Sequence, residues 1–226
     1  MSAGSKMQIT ADSHRKGKGA KPGHGHGQKS WLRENVESMV NFGVVVIIAM
    51  TFVVKPYRIP SGSMESTLHI GDMILVDRSF YLLEEPGRGD IAVFKTPPAA
   101  LAEHRRLPGN ADVRTADYIK RIVGLPGEKI EILENRLYAD GRRVEEPASI
   151  ADNVYYDGPV TSIDQKFPQL EKGYIDVPQA HVLCLGDNSA NSLDGRVWGT
   201  VPVENLKGKA FLIYWPLDRV ALLRDR

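Results

Sequence analysis

From Met39 to Val54 the chain reads "MVNFGVVVIIAMTFVV", a run without charge in which Asn41 and Thr51 are the polar interruptions. At about 1.5 Å per residue a helix of this run covers roughly 24 Å, short of the roughly 30 Å hydrocarbon core of a bilayer. Extension back through Val36, with Glu37 near the interface and Trp31 as an interfacial aromatic, gives a full span. A buried core helix would also accommodate the run, but an all-round apolar, β-branched segment beside a basic one fits lipid better. A cleaved signal sequence begins in the same way, yet the run ends in Lys55 and Pro56 with no small-x-small pattern at its edge. Retention as a membrane anchor over 31–56 is therefore expected. Before residue 34 stand Lys6, Arg15, Lys16, Lys18, Lys21, Lys29 and Arg33 against Asp12 alone, which places the N-terminus in the cytoplasm and everything from Lys55 onward on the other side.

The first 30 residues, with "SHRKGKGAKPGHGHGQKS", are Gly-rich, basic and poor in large apolar side chains, so they are expected to remain disordered. The whole chain of 226 residues carries a net charge of +1, which argues against nucleic acid as a partner. Cys184 is the one cysteine and has no internal disulfide partner.

Beyond the anchor, β-branched runs recur between turn signals: 73–76, 90–94, 117–125, 129–133, 181–185 and 210–215. No sustained helical period interrupts them, so 57–226 reads as an all-β, or mainly β, catalytic domain. Asp140-Gly141 marks a hairpin, and Pro126-Gly127 a type II turn. Two long loops, 96–115 and about 145–179, remain. With the hairpin, the second suggests an inserted smaller β subdomain over 129–179.

Just past the anchor lies "IPSGSMESTL", Ile59 to Leu68, rich in serine. A serine hydroxyl needs a neighbouring base before it attacks anything. His14, His24 and His26 fall on the wrong side of the membrane, and His69, His104 and His181 lie in no context that marks a triad. No Cys or His spacing suggests a metal, and "DNSANSLDG" fails as a calcium loop because its glycine is misplaced and Trp198 stands where a bidentate Glu belongs. Lysine is the remaining base, and it works near neutral pH only if an apolar seat lowers its pKa by roughly two to three units. In "DYIKRIVGL", strand alternation puts Tyr118, Lys120 and Ile122 on one face and Arg121 on the other, which gives Lys120 such a seat.

The ordered boxes "PSGSMESTL", "RGDIAVF", "YIKRIVGLPGE" and "GDNSANSLDGRVWG", from Pro60 to Gly199 behind an apolar anchor, resemble those of the bacterial type I signal peptidases, membrane-anchored Ser/Lys proteases. The resemblance implies Ser63 as nucleophile and Lys120 as general base. It implies that Ser61 and the backbone N–H of Ser63 form the oxyanion site and that Ser192 holds the lysine amine. Asp194 and Arg196 correspond to a nearby structural ion pair. Met64 and Tyr118 are expected beside the substrate. Two departures are visible: Ser66 stands where many members have proline, and Gly195 where serine is common.

The resemblance further implies removal of signal peptides from exported precursors through an acyl-enzyme, at the outer face of the bacterial inner membrane and without metal or organic cofactor. Precursors and membrane lipids are the expected partners, with the export machinery a further one. A repressor-type Ser/Lys protease would be soluble and carry a DNA-binding domain. A peptidase specialised for conjugative transfer would share the dyad and differ in its substrates, whereas a non-catalytic β-domain that binds exported proteins would have no use for Lys120 beside Ser63.

Overall fold

A computed structural model describes residues 27–106, 109, 112, 116–157 and 168–223, so the expectation for the basic tail falls, through residue 26, outside the described residues. Contacts divide the chain into two units between Val46 and Ile47. Helix α1 runs from Gly27 to Val53, so 27–30 are helical rather than part of an unfolded tail. Its stretch Arg33–Val53 is, by length and composition, apolar enough to cross a membrane. The helix stops one residue before the apolar run does. Lys55 precedes Pro56, which restricts it to extended backbone, and the proline's missing N–H and its ring end the helix. Residues 54–56, grouped above with the anchor, thus open strand β1 (Val54–Arg58).

Among the described residues beyond α1, the regular structure is mainly antiparallel sheet. In chain order follow β2 (Met73–Asp77), α2 (Phe80–Leu83), β3 (Ile91–Lys95), α3 (Pro98–Arg106), β4 (Asp117–Gly124), β5 (Lys129–Leu133), β6 (Arg136–Ala139), β7 (Arg142–Arg143), α4 (Ala148–Ala151), β8 (Ile175–Asp176), β9 (His181–Leu185), α5 (Gly195–Trp198), β10 (Val201–Pro202), β11 (Leu206–Trp215) and β12 (Ala221–Leu222). The larger sheet has the order β1-β2-β11-β3-β4-β9-β10, with β12 also on β11. Pro56 lies on its edge strand, where a missing N–H is tolerated. All six runs expected to be extended are strands. The hairpin turn places Asp140 at φ 50° and Gly141 at φ 74°, the left-handed pair that a type I′ turn needs, and Gly127 has φ 84°.

Strands β7-β6-β5-β8 form a second sheet. Its Ile130, Ile132, Leu137 and Ile175 share one core with Val123 of β4 and with Leu183 and Leu185 of β9, so it packs onto the larger sheet and encloses no core of its own. The loop expected at 96–115 contains a helix instead. Pro98 supplies the fixed φ of a first helical residue, "AALA" has high helix propensity, and Arg105 and Arg106 stand in the last turn, where positive charge complements the helix dipole. Its fully buried Ala100 packs with Phe94, Ile122 and Trp198.

Candidate active site

The serine-rich stretch folds as a tight turn because both its ends are held. Ile59 donates its N–H to Asp72 and accepts from Gly71, each at 2.9 Å. Gly62–Met64 then forms a single 3₁₀ turn, and the Met64 carbonyl accepts from Leu68 at 2.8 Å. Met64 and Leu68 are fully buried among Ile59, Ile74 and Ile213, so Met64, expected beside the substrate, forms the floor beneath the turn. Ser61 precedes it, exposed and extended (φ −139°, ψ 158°). Ser66 has φ 87°, a left-handed conformation that is closed to proline.

Ser63 Oγ accepts a hydrogen bond from Lys120 Nζ. The lysine comes from β4, an interior strand flanked by β3 and β9, where it lies opposite Ala92. A small partner leaves room for a long side chain to lie along the sheet surface. Lys120 is 5% exposed, and its Nζ stands 5.6 Å from the centroid of the Tyr118 ring. Burial lowers its pKa to about 8; Asp194, Asp187 and Cys184 oppose the shift, while Arg196 adds to it. Such an amine is substantially neutral at mildly alkaline pH and is able to accept a proton.

The segment after β9 grips the serine turn from the other side. Asn188 donates its backbone N–H to the Ser63 carbonyl at 3.1 Å and its side-chain amide to the Gly62 carbonyl at 3.0 Å. Asp194 and Arg196 form a fully buried, two-pronged ion pair at 2.9 and 2.8 Å. Asp194 also accepts from the Gly186 N–H at 3.0 Å, and Arg196 donates to the Ser189 hydroxyl and carbonyl at 2.7 and 2.8 Å. Ser192 is 2% exposed, with its hydroxyl against Gly186. Gly195, the second departure, opens α5 where a Cβ would meet Leu183 at 2.5 Å.

Three supporting positions escaped the sequence reading. Arg121, on the strand face opposite Lys120, pairs with buried Asp187 at 2.8 and 2.7 Å, and the same carboxylate accepts from Thr67 at 2.6 Å. An arginine inside a β-branched run was the available signal, since a buried guanidinium requires a carboxylate. Asn188 left no signal. Gly186 is the third: a Cβ there would overlap both the Ser192 hydroxyl and the Ser63 carbonyl. Gly186→Ala is therefore expected to lower kcat/KM about 10- to 100-fold in a folded protein, the range for a small displacement of reacting groups. Peptide-cleavage kinetics beside circular dichroism check it, and wild-type kinetics would refute it.

Among the described residues no cluster of three or more His, Cys, Asp or Glu is disposed to hold a metal ion. His104 Nδ1 meets the Tyr118 hydroxyl at 2.8 Å, and His181 Nδ1 meets the Gln179 carbonyl at 3.2 Å.

A family profile described as "Signal peptidase, peptidase S26" matches residues 32–215. The probable signal peptidase I-2 of Synechocystis sp. is 36% identical over 198 residues, covering 88% of this chain and 79% of that protein. The signal peptidase I of Leptolyngbya laminosa is 35% identical, covering 83% of each. That of Mycobacterium tuberculosis is 33% identical, covering 88% of this chain and 77% of its own. With the profile spanning most of the chain and relatives matched along most of theirs, the chain belongs to the signal peptidases of peptidase family S26 and is a type I signal peptidase.

Proposed function

We propose that the protein is a membrane-anchored serine endopeptidase that removes N-terminal signal peptides from exported precursors with a Ser63/Lys120 dyad. The observation that carries this reading is the hydrogen bond between Lys120 Nζ and Ser63 Oγ at an amine whose burial depresses its pKa to about 8. Neutral Lys120 takes the hydroxyl proton as Ser63 attacks the scissile carbonyl. The backbone N–H of Ser63 and the hydroxyl of Ser61 stabilise the oxyanion. The tetrahedral species then collapses: the carbon–nitrogen bond breaks and protonated Lys120 gives its proton to the departing amine. An ester remains on Ser63. Lys120, neutral again, deprotonates a water that hydrolyses this ester and restores the serine. Ser192 steadies the lysine, while the Asp194–Arg196 pair holds the loop that carries it.

Helix α1 is the anchor in this reading, with the N-terminus cytoplasmic and residues from Lys55 onward on the extracytoplasmic side. Ser63 follows Val53, the end of α1, by ten residues (63 minus 53), which keeps the chemistry close to the membrane, where a precursor's own apolar segment holds its cleavage site. The precursor lies extended beside the turn, and Tyr118, on the face of Lys120, contacts it. The test uses purified full-length protein in detergent and a precursor with small residues at the first and third positions before the cut. Mass spectrometry is expected to find cleavage after the second of these and, on rapid acid quenching, the precursor's N-terminal fragment ester-linked to Ser63. No cleavage, or an ester on another residue, would overturn the assignment.

A further inference from the structure

Helix α3 lies in the connection between β3 and β4 and has no part in the chemistry above, yet it reaches the lysine's surroundings. Buried Ala100 seats it on Phe94 and Trp198. One turn further on, His104 sets Nδ1 2.8 Å from the Tyr118 hydroxyl, its ring centroid 5.6 Å from that of Tyr118. The Tyr118 ring is packed in turn by Phe94 at 6.3 Å and Trp198 at 6.4 Å, and the Lys120 amine stands 5.6 Å from its centroid. A chain of contacts therefore runs from α3 through one phenol ring to the amine that the dyad employs.

Resting on the Ser/Lys reading of the site, we infer that α3 completes the wall that keeps water from Lys120, and that His104 is a positioning residue, acting through Tyr118. Burial raises the phenol to about 12, so at neutral pH it keeps its proton and is able to donate to His104 Nδ1. What His104 contributes is the ring's position. An unlatched ring lets water reach the amine, the charged form is better solvated, and the lysine pKa rises toward its ordinary value. The other groups acting on Lys120 are Asp194, Asp187, Cys184 and Arg196, with Ser63 and Tyr118 beside the amine, and of these a change at His104 reaches Tyr118.

The experiment measures kcat/KM against pH on a precursor peptide for full-length protein and for His104→Phe, Tyr118→Phe, the double variant and His104→Asn. Loss of one neutral hydrogen bond is expected to move the acidic-limb midpoint upward by roughly half a unit to one unit and to lower kcat/KM at pH 7 about 3- to 10-fold. The two single variants should match, the double should add nothing, and His104→Asn, which keeps an acceptor near Nδ1, should restore most of the loss. An unmoved midpoint, additive losses, or a rise in KM alone would overturn the inference. Should His104→Phe not fold, Tyr118→Phe keeps the ring packing and carries the test. Lys120→Met separates the two readings: if it remains active the dyad itself fails, whereas a dead Lys120→Met with an unmoved limb in His104→Phe removes only the role of α3.

Discussion

Ser63→Ala and Lys120→Met proteins are expected to fold and to bind precursor, yet to cleave it roughly 10⁴-fold more slowly or worse, the scale seen when one member of a cooperating nucleophile and base is deleted. The two losses should not add, because either substitution already removes proton transfer from the serine. Lys120→Met carries a second, opposite effect. An amine held at about 8 rather than its ordinary 10.5 is disfavoured in the folded protein by about 3 kcal/mol at pH 7. This penalty is complete below pH 8. Between pH 8 and 10.5 the unfolded chain binds the proton and the folded chain does not, so stability rises with pH across that window and the penalty is gone above it. The isosteric, uncharged methionine should therefore raise the pH 7 stability by about 1–3 kcal/mol, with the gain vanishing above pH 10.5. Denaturant unfolding at pH 7 and 10.5, beside the cleavage assay, checks both halves. The same displacement predicts that wild-type kcat/KM climbs as pH rises through about 8. An active Lys120→Met, or one destabilised at pH 7, would refute the account.

Legibility followed distance along the chain. The strands were readable because alternation and β-branching act within five or six residues, and the hairpin because Asp140 and Gly141 adopt backbone angles few other pairs tolerate. Lys120 stood out locally as an amine amid apolar neighbours, but its meeting with Ser63 joins residues 57 positions apart, which only the ordered boxes of a resemblance could suggest. Helix α3 was hidden by the prolines at 97 and 98, which read as loop although one of them starts the helix. Of the second sheet the 129–144 hairpin was visible, but not β8, which lies inside the expected 145–179 loop, nor the shared core, since that depends on how Leu183 and Leu185 of a later strand face it. Asn188 and Gly186 act through a backbone carbonyl and through empty space, and neither leaves a pattern in side-chain chemistry.

Arg121 is the position where the largest loss of stability is expected. Its guanidinium is 1% exposed and binds three separate segments: Asp187 at 2.8 and 2.7 Å, the Gly89 carbonyl at 2.7 Å and, through the shared carboxylate, Thr67. Arg121→Met leaves the Asp187 carboxylate buried without its counter-charge and the Gly89 carbonyl without a donor, which together should cost about 3–5 kcal/mol. Arg121→Met/Asp187→Asn removes both charges while keeping an acceptor for Thr67, and should recover much of that loss, because two opposite buried charges contribute little beyond the cost of separating them. Activity is not expected to recover with stability. Thr67 lies four residues beyond Ser63 and is tethered to Asp187, and Asn188, the next residue, holds the Gly62 and Ser63 carbonyls. Without the guanidinium to orient Asp187, both grips on the serine turn slacken, and kcat should remain depressed by about 10- to 100-fold in the stable double variant. Unfolding midpoints with kcat for the two proteins decide the matter. A double variant as unstable as the single one would show that the pair acts by packing rather than charge, and one with full activity would show that the ion pair supports the fold without positioning the nucleophile.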